Sequence, residues 1–355
     1  MYIANRFSTK FPIMINILRL CKSTYYHRLS IRIVATENTI WDAWPGAVIR
    51  NNLLFAAEQV FIEKEKRTLR DVINDFPLKD THPLYKNLKD GFPKGYQISL
   101  LSHIHLEQSE LRLSKGEIIS FSLTLIGNMS NYYQYFVLAI RLMCEKGLGK
   151  PRHPFLLIDI SEQSIHDHPQ VLSVGQTDLS KELTSPVYLS DFTNTDIENS
   201  RSLITIQYTT PIILIRPRSR SKKNTQLSYQ DKCNQFPSFY QLLRSCLFRL
   251  LKLNIIYNSS EDNYPEIPDE NSIESFLENA GHPILQSANI KYTTLKNTLK
   301  KECINTMPLA GYTGEQTYSG YFEEYLPLLK FMEGLSVGNE TVYGMGRFEV
   351  EITSG

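Results

Sequence analysis

The chain has 355 residues, 42% of them hydrophobic and 21% charged, enough for about two domains at roughly 150 residues each and too apolar for a disordered or fibrous protein. Thirty-eight Lys and Arg stand against 37 Asp and Glu, a net charge of +1, so any attraction to nucleic acid must come from local asymmetry rather than from the total. The five cysteines, Cys21, Cys144, Cys233, Cys246 and Cys303, are scattered without a CxxC pair, which argues against a disulfide framework or a thiolate zinc site and for a reducing cytoplasm. The apolar stretch Phe11 to Leu18 is broken by Arg19 and Lys22 and is not read as a secretory signal, and no apolar run is long enough to span a membrane.

Residues 28 to 36 alternate apolar with polar side chains, the period of a half-buried strand. From Pro45-Gly46 the period changes: Val48, Ile49, Leu53, Ala56, Val60 and Phe61 recur at helical spacing, with Pro45 suited to the first turn. Tyr96 to Leu101 and Ile118 to Ile126 read as two further strands, the second reached through a loop ending at Lys115-Gly116. Asn131 is the expected cap of a helix running through Phe136, Val137, Ile140 and Met143 to Gly147, and Phe155 to Ile160 is a short buried strand. The order is βαββαβ, a ferredoxin-like (RRM-like) unit.

The second half repeats it, with strand Leu203 to Tyr208, helix Phe239 to Leu253, a strand expected between Ile284 and Tyr292, and strand Gly311 to Tyr318. Helix Tyr325 to Met332, ended by Gly334, and strand Arg347 to Ile352 complete it. The expected fold class is α+β, tandem ferredoxin-like domains with glycine-rich loops. Residues 1–24 are an N-terminal extension, 25–160 the first domain, 161–200 an acidic linker and 201–355 the second domain. The linker rests on seven acids against one base, with Pro169 and Pro186 marking irregular chain; residues 259 to 279, with seven acids and no base, read as a solvated insertion.

From Arg201 to Lys252 ten Lys or Arg face the single acid Asp231. This excess of +9 is densest at Arg216, Arg218, Arg220, Lys222 and Lys223 and continues in Arg244 and Arg249. Such a patch neutralises phosphates, and its arginines can fork onto phosphate oxygens or stack on bases. Each half also closes with helix, glycine-containing loop and strand: Gly147-Leu-Gly149-Lys150 in the first, Gly334 to Gly346 in the second. Gly338, Gly344 and Gly346 permit positive φ, so their amides can line a phosphate-bearing groove or simply form a tight turn, and Lys150 and Arg347 beside these loops are candidate phosphate contacts. Tyr132, Tyr133, Tyr135 and Phe136 sit at helical spacing and read as packing rather than base stacking. His166-Asp167-His168 lacks the further ligands a metal site needs, and neither metal nor cofactor is expected.

Three ordered segments carry a resemblance: Gly116 to Gly127 with Tyr132 to Ala139 and Gly147-Leu-Gly149; Met307 to Gly320; and Leu326-Pro-Leu-Leu leading through Gly338 to Tyr343-Gly-Met-Gly-Arg-Phe348. Together with the Trp44-Pro45-Gly46 helix start they resemble the CRISPR repeat-RNA-processing endoribonucleases of the RAMP superfamily, over roughly residues 28 to 352. The resemblance implies CRISPR repeat RNA as partner, other CRISPR effector subunits as further partners, no membrane, and metal-independent cleavage of precursor CRISPR RNA within each repeat. In that reaction a ribose 2′-hydroxyl attacks the adjacent phosphate, leaving a 2′,3′-cyclic phosphate and a 5′-hydroxyl, and it needs a base, an acid and a cation for the phosphorane.

The family's commonest pattern places a catalytic His in or near the first helix. Here no His occurs between His27 and His82, and the first helix offers Arg50, Asn51 and Asn52. Topology brings the end of the first strand, the β2–β3 loop and the α2–β4 loop of a βαββαβ unit to one end of the sheet. His103, His105 and His153 are therefore the catalytic candidates, converging near Trp41 to Pro45, while His27 belongs at the opposite end and His282 in a turn. Two alternatives stay open: chemistry that leans on Lys and Arg, and a non-cleaving RAMP subunit that holds RNA in an effector complex. An unrelated metabolic enzyme on the same fold would leave the +9 segment unexplained.

Overall fold

Leu29, Ile31, Ile33 and Ala35 are buried with more exposed residues between them, and this alternation builds β1 (Tyr25–Ala35). The computed structural model describes residues 21–78, 92–100, 110–149, 151–174, 181–193, 202–214, 237–258, 268–278, 280, 282–295 and 309–354. After β1, β2 (Thr39–Trp41) leads into α1 (Pro45–Ala57), with Pro45 in the first turn. The helix stops short of Val60 and Phe61 because the chain there turns into a hairpin of β3 (Phe61–Ile62) and β4 (Arg67–Thr68). Next comes α2 (Leu69–Asn74), held at its start by a reciprocal Thr68–Asp71 capping box. The first domain continues through β5 (Tyr96–Leu100), β6 (Leu111–Leu113), β7 (Ile118–Ile126), α3 (Tyr133–Lys146) and β8 (Phe155–Gln163). Asn131 does not cap α3; it lies within a 3-10 turn, Gly127–Tyr132, that feeds the helix. Tyr133 and Phe136 of α3 are buried, as packing residues should be.

The stretch 161–200 is not the irregular linker its acids and prolines suggested. β8 runs on to Gln163, and β9 (Gln170–Val174) pairs with it as a further strand. β10 (Val187–Tyr188) pairs with Tyr25 and Tyr26 at the start of β1. One of the seven acids is the reason: the buried Glu162 carboxylate lies 2.6 Å from His27 Nδ1 and accepts the backbone N–H groups of Thr184 at 2.8 Å and Ser185 at 3.0 Å. Satisfied on all three sides, the charge anchors the returning chain to the sheet. His27 is accordingly inside β1 rather than before it.

The second domain holds β11 (Ser202–Ile212), α4 (Phe239–Tyr257), α5 (Glu270–Glu278), β12 (Ile284–Leu295), β13 (Leu309–Gly320), α6 (Leu326–Glu333) and β14 (Phe348–Ser354). Helix α5 was not anticipated in the acidic stretch; it forms because Phe276 and Leu277 bury against the core. The strand orders are β5-β7-β1-β8-β9 and β12-β13-β11-β14, with antiparallel pairing throughout. Read as second, third, first and fourth strand of each unit, these are two ferredoxin-like sheets, the first extended by β9.

The domains are joined by direct polar contacts. Thr24 Oγ1 donates to Asn254 Oδ1 at 2.9 Å, Asn258 Nδ2 to the Ser23 carbonyl at 2.8 Å, and the Tyr257 hydroxyl to the Pro93 carbonyl at 3.0 Å. The Tyr26 and Phe331 rings pack 5.2 Å apart between them. No described helix is long and apolar enough to cross a membrane.

Candidate functional site

The loop between α6 and β14, residues 334 to 347, folds down onto α1 and β5 of the first domain. Trp44 cannot cap α1 with its side chain; its indole Nε1 instead donates across the seam to the Tyr343 carbonyl at 2.7 Å. Gly46 is required beside it, because a Cβ there would run into that same carbonyl. Gln97 of β5 donates to the Gly334 carbonyl at 3.3 Å and to Ser336 Oγ at 3.0 Å. Gly344 (φ +76°) and Gly346 (φ +74°) take left-handed conformations, and a side chain on Gly346 would collide with the Val337 carbonyl.

At this seam the Arg50 guanidinium stacks 4.5 Å from the centre of the Tyr343 ring, donates to Asn51 Oδ1 at 3.0 Å and brings its charge to bear on the Tyr96 phenol. Lys94, two residues before Tyr96, donates to the Asn74 carbonyl at 3.3 Å with its ammonium over the Phe92 ring. Burial, with the Arg50 charge adding to it, holds the Lys94 pKa below its ordinary value. Burial raises the phenols of Tyr96 and Tyr343, with Arg50 opposing the shift at each. The seam therefore presents a permanent cation, phenols that stay protonated as donors and, close by, an ammonium whose pKa is lowered.

The candidate residues named from the sequence fall into three groups. His103, His105, Lys150, Arg216, Arg218, Arg220, Lys222 and Lys223 lie outside the described residues. Gly147, Gly149 and His153 form a tight turn after α3, closed by a Leu148–His153 bridge, with His153 Nδ1 3.0 Å from Glu37 Oε1 and Gly149 against the Trp41 indole. Gly149 thus lies at Trp41, while the expected convergence of His153 with His103 and His105 falls outside the described residues. His166, His168 and His282 are exposed, and no cluster of metal-ligating side chains occurs among the described residues.

The third group sits in the second domain. Arg244 is exposed, stacked 4.7 Å from the Phe248 ring. Arg249 turns inward to Thr341 Oγ1 at 3.0 Å, where burial lowers its pKa to about 10 and leaves it charged at neutral pH. Gly338 is half-buried near the loop's exposed tip at Glu340, whereas Gly344 and Gly346 are buried. The Arg347 guanidinium ties the Leu100 carbonyl, 2.9 Å away, to Glu349 at 2.9 Å, so it straps the two domains together. Lys94, Tyr96 and Tyr343 were missed by sequence reading. Lys94-Gly-Tyr96 and Tyr343-Gly344 are both aromatic residues beside glycine, the one signal that could have marked them.

Comparison with known proteins bears on this seam directly. Residues 206–348, which include the whole glycine-rich loop, match the family of the CRISPR-associated endoribonuclease Cas6. The second domain is thus similar to that family over most of its length. Residues 24–184 match the family AF_1859_N, described as an N-terminal domain, and the match of the second domain supports a CRISPR-associated, repeat-RNA-processing protein. No curated protein matches it in sequence. Among solved structures, a partial Cas6-RT-Cas1–Cas2 complex aligns over 93% of this chain and 46% of that one, at 12% identity and TM-score 0.55. The chain thus spans about half the length of that relative. A Cas6 product complex aligns over 92% and 99% at 13% identity and TM-score 0.49, and the product of a Cas6-related gene from Pyrococcus furiosus over 92% and 98% at 14% identity and TM-score 0.45. The likeness to the first of these structures, which runs over both domains, is one of fold.

Proposed function

We propose that this Cas6-type protein cuts precursor CRISPR RNA within each repeat without a metal, by attack of a ribose 2′-hydroxyl on the adjacent phosphate. The observation that carries this reading is the stacking of Arg50 on Tyr343 where the glycine-rich loop covers the first helix, with the Arg50 charge also felt at Lys94. In the reaction the 2′-oxygen bonds to phosphorus and the bond from phosphorus to the 5′-oxygen breaks, giving a 2′,3′-cyclic phosphate and a 5′-hydroxyl. Arg50 neutralises the non-bridging oxygens of the phosphorane, where positioned charge is worth most. Tyr343, kept protonated by burial, donates to the same oxygens or to the departing 5′-oxygen. Lys94, its pKa lowered, takes the 2′ proton or returns one to the leaving group. His153 and the two histidines at 103 and 105 remain the rival proton carriers.

The structures similar in fold include Cas6 in a product complex and in assemblies with RT-Cas1 and Cas2. Repeat RNA and other CRISPR proteins are accordingly the partners we propose here. The absence of His from α1 favours a second reading, an RNA-holding subunit that does not cut. Incubating the protein with labelled repeat RNA in EDTA, beside the same RNA carrying a 2′-deoxy residue at the cut, separates the two. Cutting that survives EDTA and vanishes with the deoxy substrate supports the nuclease. Tight binding without cutting supports the holding subunit, and neither binding nor cutting rejects both.

A further inference from the structure

Helix α1 carries a second feature one turn beyond the seam. Phe55 is a large aromatic residue left 39% exposed, and the Arg152 guanidinium lies 4.2 Å above its ring. Arg152 is exposed and its position is fixed by the turn that carries it. Leu148 and His153 exchange backbone hydrogen bonds at 2.9 and 3.0 Å, and Gly149 (φ +89°) lets that turn close onto Trp41. Asn51 and Phe55 are four residues apart and share a helix face, and Asn51 is the residue that Arg50 bonds. Phe55 thus stands about 6 Å along the axis from Asn51, adjacent to the cationic seam.

Phe55 is not among the residues of the hydrophobic core or those packed against it, and its partly exposed ring carries a guanidinium. Its chemistry matches a nucleobase: a flat π-face for stacking, and a guanidinium that stacks on a base or meets its phosphate. We propose that Phe55 and Arg152 form a subsite that stacks one unpaired base of the RNA next to the nucleotides held at the Arg50–Tyr343 seam. This rests on the RNA reading above and extends it to a contact outside the reacting phosphate. On binding, Arg152 swings from the ring or remains above it while the base takes the ring's open area.

The test uses the full-length protein and repeat RNAs from the CRISPR array nearest the gene, each with 2-aminopurine at one unpaired position. Wild type quenches the probe at a single position, and Phe55→Leu removes that quenching and weakens binding roughly tenfold, the size of one lost stacking contact. Phe55→Trp retains both signals, which guards against a folding artefact, and Arg152→Gln weakens binding by less. Arg50→Ala slows cutting while the quenching persists. Equal affinity and equal fluorescence in wild type and Phe55→Leu would overturn the subsite and leave the RNA reading intact. Failure of wild type to bind any of these RNAs overturns both.

Discussion

The two domains each end their last helix in a glycine-containing loop, and the loops have become different objects. After α3, Gly147 to His153 is a surface turn closed on itself by one strand-like bridge, its glycines serving only to pass His153 and Trp41. After α6, residues 334 to 347 stay bonded to their own domain through Pro211 and Arg249 and are bonded as well to Trp44, Gln97 and Leu100 of the other. The same position in a repeated fold supplies a local turn in one copy and the seam of the molecule in the other. Repetition of a motif marks repetition of architecture, and function follows from what the loop reaches.

The largest expected difference between the loops is in stability. Gly346→Ala places a side chain in a left-handed conformation and drives it into the Val337 carbonyl, which belongs to the same loop and cannot retreat without opening the seam. A loss of at least about 3 kcal/mol is expected in urea unfolding, from backbone strain plus the contact. Gly149→Ala has the same strain but meets the buried Trp41 indole at 2.9 Å and the Pro151 carbonyl at 3.4 Å, looser approaches than the one at Gly346, so a smaller loss of about 1–2 kcal/mol is expected. Equal losses would mean that the seam does not constrain its loop more than the turn does.

Next in size is activity. Arg50→Ala removes the stacked cation over Tyr343 and should lower the single-turnover cutting rate by about 10²- to 10³-fold, the range for deleting one positioned transition-state donor. Binding of uncut RNA should change far less. A loss confined to binding would reassign Arg50 to substrate capture.

How much of this was readable beforehand depends on whether a feature is local. Strand alternation in β1, Pro45 at the start of α1 and Gly147 at the end of α3 are written in neighbouring residues, and the βαββαβ order of both halves followed from them. The acidic stretch misled because six of its acids gave the impression of solvated chain while the seventh, Glu162, is buried against His27, a partner 135 residues away. Arg347 shows the same limit: beside a glycine loop it reads as a phosphate contact, but its partners are the Leu100 carbonyl and Glu349. The seam itself joins Trp44 and Arg50 of one domain to Tyr343 of the other, and no spacing within either half could announce it.

Proton transfer supplies a finer comparison. Lys94 has its pKa lowered chiefly by burial and then by Arg50, so its neutral form appears at a lower pH than that of a free lysine, near 10.5. If Lys94 takes the 2′ proton, cutting rises with pH and levels off below 10.5. Arg50→Gln, which removes one of the two lowering causes, moves that rise to higher pH, while Lys94→Arg abolishes it. A pH profile unchanged in both variants would assign the proton to another group.

The smallest expected effect is at the turn, and it is the sharpest check on the comparison. His153 meets Glu37 at 3.0 Å with the carboxylate more than half exposed, a pairing worth no more than about 1 kcal/mol. His153→Ala should therefore leave the unfolding midpoint nearly unchanged and the cutting rate within about threefold of wild type, since one exposed ion pair bears on neither the core nor the seam. A hundredfold loss of cutting with full RNA binding, which is the scale of a missing acid or base, would move the chemistry from the seam to the turn. The two loops would then have exchanged roles, with residues 334 to 347 left as the structural clasp and Gly147 to His153 as the part that acts on RNA.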